Sequence, residues 1–101
     1  MSVLVEFSIF PTDKGESVSE YVSKVIEYIK NTKIPFQLTS MGTIIETEEM
    51  ETALNLINQA YIILSKYSSR IHIAAKFDIR TGKINRIKDK INSIEDKIGK
   101  I

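Results

Sequence analysis

Residues 3–10 read VLVEFSIF and residues 71–80 read IHIAAKFDIR, and these two stretches decide the fold. In an extended chain successive side chains point to opposite faces. Val3, Val5, Phe7 and Ile9 therefore share one side of the first stretch, with Leu4, Glu6, Ser8 and Phe10 on the other. Ile71, Ile73, Ala75, Phe77 and Ile79 share one side of the second, with His72, Ala74, Lys76, Asp78 and Arg80 opposite. Both stretches read as strands covered on one face only.

The segments around them alternate between helix and strand. Pro11 and Gly15 break the first strand. Ser17 and Glu20 then have the spacing of a capping box. Val18, Tyr21, Val22, Val25, Ile26 and Ile29 follow at helical spacing, which predicts a helix over about 17–31. Residues 35–39 (PFQLT) and 43–48 (TIIETE) form a predicted hairpin through Ser40-Met41-Gly42, with Gly42 supplying a backbone angle other residues avoid. A second helix is expected over about 49–67, with Met50, Ala53, Leu54, Ile57, Tyr61 and Leu64 as its buried stripe. Thr47 stands where a cap belongs, and Glu48, Glu49 and Glu51 suit the positive end of the helix dipole. Thr81-Gly82 ends the last strand; Thr81-Gly82-Lys83 lacks the upstream glycine of a phosphate loop and reads as a turn. Beyond it Ile84, Ile87, Ile91, Ile94, Ile98 and Ile101 recur at intervals of three and four, a heptad seam on a charged helix over about 84–98. Such a stripe fits a terminal helix lying on its own domain, and its regularity favours packing across a subunit boundary.

The order βαββαβ plus a C-terminal helix predicts one α+β domain over residues 1–101. Two strand–helix–strand crossovers in one sheet give a ferredoxin-like arrangement, a four-stranded antiparallel sheet in the order 4-1-3-2. Both long helices are expected on the face of Val3, Val5, Phe7 and Ile9. The opposite face is expected to stay open, presenting Leu4, Glu6, Ser8, Phe10, Lys76 and Asp78, with Gln37 or Leu38, Thr39, Ile44 and Glu46 from the hairpin. Such a mixed face suits a second subunit or a small ligand.

Composition narrows the chemistry. The chain has 101 residues, no cysteine and one histidine, so disulfides, thiolate metal sites and histidine cages are excluded. No apolar run reaches the roughly 18 residues of a membrane span, and no signal-peptide core follows Met1; a cytoplasmic protein is the expectation. Residues 1–69 carry 5 Lys/Arg against 9 Asp/Glu, and residues 70–101 carry 9 against 4, a solvated basic end. Ser8, His72 and Asp78 share the open face, but no nucleophile elbow or oxyanion loop accompanies them. Glu6, Glu46 and Asp78 lack the loop spacing of a metal site. Their charge also opposes nucleic acid on that face. Carboxylates favour a cation instead, and Phe10, Phe36 and Tyr21 are the aromatic rings available to a cationic heteroaromatic ligand. The competing reading pairs these carboxylates with Lys76 and Arg80.

Four blocks carry a family likeness: Glu6-Phe7-Ser8-Ile9-Phe10-Pro11; Thr39-Ser40-Met41-Gly42-Thr43 with Glu46; Lys76-Phe77-Asp78-Ile79-Arg80; and Ile91-Asn92-Ser93-Ile94-Glu95. In this order and over nearly the whole chain, the sequence resembles the short thiamine-binding proteins related to YkoF. Ser40 departs from the proline that relatives often carry before Met-Gly-Thr. The resemblance implies a ferredoxin-like domain that forms a dimer of dimers and binds thiamine or a related pyrimidine without catalysis, requiring no cofactor and no metal. On the open face or its hairpin rim, the ligand-binding candidates are Glu6, Ser8, Thr39, Met41, Gly42, Thr43, Glu46 and Asp78. Hydroxyls and backbone would read the aminopyrimidine, and a carboxylate would sit near the thiazolium. The alternatives are a structural or regulatory homo-oligomer without ligand and, third, an enzyme acting on a thiamine precursor.

Overall fold

The computed structural model describes residues 1–101. The elements are β1 (Ser2–Pro11), α1 (Ser19–Thr32), β2 (Phe36–Thr39), β3 (Gly42–Thr47), α2 (Met50–Ser65), β4 (Ile71–Arg80) and α3 (Arg86–Ile98). The strands form one antiparallel sheet in the order β2-β3-β1-β4, the ferredoxin-like arrangement expected from the alternating strands.

The core lies where the period-two face of β1 meets the helices. Val3, Val5, Phe7 and Ile9 are buried against Val25 and Ile29 of α1 and Ala53, Leu56, Ala60 and Leu64 of α2. Each fully buried Val, Leu, Ile or Phe among them contributes about 1.5–3 kcal/mol. Ile45 of β3 stands opposite Val5 and completes the same layer. Along β4 the cover thins out. Ile71 and Phe77 pack against the core, but Ile73 and Ile79 of the same face are exposed. β4 is an edge strand with only β1 beside it.

Several local expectations change. The Ser17–Glu20 capping box does not form: α1 starts at Ser19 behind Val18 and has no side-chain cap. The stripe of α2 is rotated. Leu56 and Ala60 are buried, and Leu54 and Tyr61 face solvent. The apolar side of this helix is broad, running from Leu56 and Ala60 through Ile57 to Tyr61 and Leu54, so periodicity alone does not fix the centre of the buried stripe. Thr47 does not cap it either, because its hydroxyl donates to the Glu49 carbonyl (2.7 Å). Gly42 does not have a positive φ. It is needed because a Cβ there would stand 2.8 Å from the Phe7 carbonyl oxygen on the neighbouring strand.

The largest departure concerns the sheet face opposite α1 and α2. α3 lies across one end of it, against β1 and β3, so that face is only partly open. Ile87 and Ile91 of the isoleucine seam are half-buried, and Ile84, Ile94, Ile98 and Ile101 are exposed.

Candidate functional site

Two regions hold the expected residues, one on the sheet face opposite the long helices and one in a gap that reaches the helix side, and they do different things. The first is the root of α3. Asn85, which precedes the helix, is left-handed (φ 58°) and its side chain caps nothing. The free N–H groups of the first turn need another acceptor. Glu46 supplies it from β3: its Oε2 accepts from the Arg86 N–H (3.0 Å) and its Oε1 from the Ile87 N–H (3.2 Å). Ser2 Oγ donates to the same Oε2 (2.6 Å). Burial opposes the charge of Glu46, but these hydrogen bonds and the nearby Arg86 guanidinium outweigh it and hold the carboxyl below its ordinary value. Arg86 reaches back to Asp78, donating to its Oδ2 (2.5 Å) and its carbonyl (2.9 Å), and to the Ser2 carbonyl (3.3 Å).

Glu46 and Asp78 are therefore occupied. Glu46, expected on an exposed face, is 7% exposed beneath α3. Asp78 pairs with Arg86, and not with the Arg80 of its own strand. Glu6 lies farther along β1 and forms the expected pair with Lys76 (3.0 Å). The Ser8–His72–Asp78 set does not form a triad: the His72 ring stacks against Phe10 (5.1 Å between centroids) and Asp78 holds Arg86.

The second region is at the other end of β1. This strand pairs with β4 from Ser2 to Pro11, but with β3 only from Val3 to Phe7. Beyond the Phe7–Thr43 pair, Ser8–Pro11 has no partner on the β3 side. The Ser40–Met41 turn and the start of α1 close around the gap, leaving a hollow of ≈390 Å³. Ser8, Thr39, Met41, Gly42 and Thr43 line it, with Phe10 and the α1 residues Val18, Val22, Val25 and Ile26. No charged side chain does. Thr43 enters it from the side of the helix layer: opposite Phe7, it is buried and not on the open face where it was expected. The Thr39 hydroxyl braces the turn, donating to the Gly42 carbonyl (2.9 Å) and accepting from the Met41 N–H (3.2 Å). The Met41 side chain stands 86% exposed at the rim.

A smaller hollow of ≈190 Å³ adjoins it on the open face, sharing Phe7, Ser8 and Met41 and bordered by Glu6 and Lys76. Of the expected aromatic rings only Phe10 reaches the site. Phe36 packs on the core face and Tyr21 sits against Tyr67 (6.0 Å). The α1 wall was missed in the sequence. Its signal was the mismatch in length between a long first strand and the short hairpin beside it.

Comparison with known proteins places this geometry. The family model for thiamine-binding proteins matches residues 5–95. The UPF0045 protein of Methanocaldococcus jannaschii is 34% identical over 88 residues, covering 87% of both chains. A UPF0045 protein of Mycobacterium bovis is 30% identical over 90 residues, 89% of this chain and 88% of that one. A crystal structure of the M. jannaschii hypothetical protein superposes with a TM-score of 0.81 at 33% identity, over 94% of this chain and 97% of that one. A Thermotoga maritima structure, described as that of a candidate thiamine biosynthesis/salvage protein, shares the fold with a TM-score of 0.80 at 19% identity, over 93% and 99% of the two chains.

Proposed function

Because the chain belongs to the thiamine-binding protein family, we propose that it is a non-catalytic binder of thiamine or a related pyrimidine, held in the notch between β1, the β2–β3 turn and α1. One observation carries this reading. A charge-free hollow of ≈390 Å³ runs along strand backbone that has no partner on the β3 side, and it adjoins a smaller hollow bordered by the Glu6–Lys76 pair. An aminopyrimidine is flat and neutral, with donors and acceptors along one edge. The main-chain groups of Ile9, which face the side without a β3 partner, and the hydroxyls of Ser8 and Thr43 suit that edge, while Met41 and Phe10 suit the ring faces. A thiazolium is a cation, and Glu6, whose solvent-exposed pair with Lys76 is weak enough to exchange, favours it on the side of the smaller hollow. The description of the Thermotoga fold neighbour points the same way. Glu46 and Asp78 hold α3 and take no part. Turnover of a thiamine precursor is the weaker reading, because Glu6 pairs with Lys76 and His72 stacks on Phe10, so neither is set to activate Ser8.

Calorimetric titration with thiamine and with its isolated aminopyrimidine half tests the reading. Saturable binding of both is expected. Glu6→Gln should weaken thiamine roughly two- to fivefold, the scale of one partly screened charge contact, and leave the neutral pyrimidine unchanged. No saturable heat and no thermal shift from folded wild-type protein would overturn it.

The same reading includes a homo-oligomer, a dimer of dimers. Its support is apolar surface that this chain leaves uncovered: Ile73 beside the free edge of β4, and Ile98 and Ile101 at the end of the isoleucine seam. Light scattering on a size-exclusion column is the test, with a mass of one chain as the result against it.

A further inference from the structure

The concavity between α3 and the end of β4 is separate from the notch and has the opposite character. It measures ≈660 Å³, within the range of small-molecule sites. Its walls carry four cations, Arg80, Lys83, Arg86 and Lys90, against two carboxylates, Asp78 and Asp89. Asp78 is taken by Arg86, whose side chain is only 12% exposed and is fixed by the Ser2 and Asp78 carbonyls as well. Arg80, Lys83 and Lys90 have no carboxylate within 4.0 Å, since the chain's two ion pairs are Lys76–Glu6 and Arg86–Asp78. Three unneutralised cations thus face one concavity, opposed by Asp89 alone. Leu4, Ile79 and Ile94 add apolar surface, and Ser93 adds a hydroxyl.

The helix places these groups together. Arg86, Lys90 and Ser93 are four and three residues apart, so they share one side of α3 beside the isoleucine seam. The strand end and the turn after it bring Arg80 and Lys83 to the other wall. Positive charge converging on a concave, partly apolar wall concentrates an anion in a way that a convex lysine-rich surface does not.

We infer that this α3–β4 cleft is a second binding site, for a small molecule carrying a phosphate group on an apolar body. The cleft is short, and no aromatic side chain lines it for stacking bases, so its occupant is a metabolite-sized anion and not a nucleic acid strand. The inference does not depend on thiamine binding, because the notch shares no residue with the cleft.

The experiment is a titration of the ¹⁵N-labelled full chain with inorganic phosphate and then pyrophosphate at constant ionic strength, followed by amide shifts. Saturable shifts confined to residues 78–94 are expected, tighter for pyrophosphate. Lys83→Ala combined with Lys90→Ala should weaken binding roughly tenfold. Arg80→Ala, a change in the exposed strand end, provides a second variant with the same expected direction. Non-saturating shifts up to about 10 mM would overturn the inference. So would shifts spread equally over Lys24, Lys30 and Lys66, or affinity unchanged in both variants.

Discussion

Glu46→Ala should release α3 from the sheet while leaving the sheet folded. The carboxylate accepts three hydrogen bonds, from Ser2 Oγ and from the backbone N–H groups of Arg86 and Ile87. Hydrogen bonds to a charged acceptor contribute about 1.5–3 kcal/mol each, and loss of a helix cap alone costs about 1 kcal/mol. Water reaches part of the freed groups as the helix lifts, so the net loss is about 2–4 kcal/mol. The other tether is Arg86, bound to Asp78 and to the Ser2 carbonyl, and it lies in the same first turn that Glu46 holds. α3 has no fully buried residue, and a helix of 13 residues is marginal by itself. Hydrogen–deuterium exchange reads the effect directly. Amides of 87–98 should lose protection by roughly 30-fold or more, the equivalent of about 2 kcal/mol, while those of β1 and β3 keep theirs. Glu46→Gln, which keeps one acceptor oxygen, should fall between. Unchanged exchange in α3, or equal loss across the whole chain, would refute the assignment of Glu46 as the anchor.

Gly42→Ala should destabilise the protein by about 1–3 kcal/mol in urea unfolding, because its Cβ meets the Phe7 carbonyl and pushes β3 from β1 at the floor of the notch. Met41→Ala, at an exposed position, should shift stability by less than about 0.5 kcal/mol yet weaken thiamine binding measured by calorimetry. Acid should loosen α3. Glu46 titrates below its ordinary value of 4.5, so its contribution is complete above that value and disappears as pH falls through the lowered one. Exchange of the α3 amides should rise in that window, and Glu46→Gln should flatten the rise.

The sheet was legible in the sequence because β1 and β4 alternate cleanly, and alternation determines both strand identity and face. The stripe of α2 was not. Leu56, Ala60, Ile57, Tyr61 and Leu54 spread over about half of the helix circumference, and only the position of the helix over β1 selects Leu56 and Ala60 as its buried centre. Glu46 was legible as a carboxylate on the face opposite the two long helices. Its occupation was not, since its partners are main-chain groups forty and forty-one residues away. The Glu6–Lys76 pair was legible because register across β1 and β4 places the two residues opposite each other. For Gly42 the residue type was informative and the reason different: a close crossing of two backbones leaves no local signal. Of the eight residues singled out as ligand contacts, Ser8, Thr39, Met41, Gly42 and Thr43 converge on the notch. Glu6 borders the hollow beside it, and Glu46 and Asp78 belong to the α3 root.

The central place of β1 also sets the order in which the molecule can assemble. The strand made first is flanked by β3 and by β4, and Ser2 is finally tied to Arg86 across a separation of 84 residues. A chain leaving the ribosome at about 5–20 residues per second must hold its most apolar strand unpaired for several seconds before those partners emerge. Contacts so distant in sequence are slow to close. During synthesis, VLVEFSIF is thus an unprotected strand in search of an edge until β3 and then β4 are made.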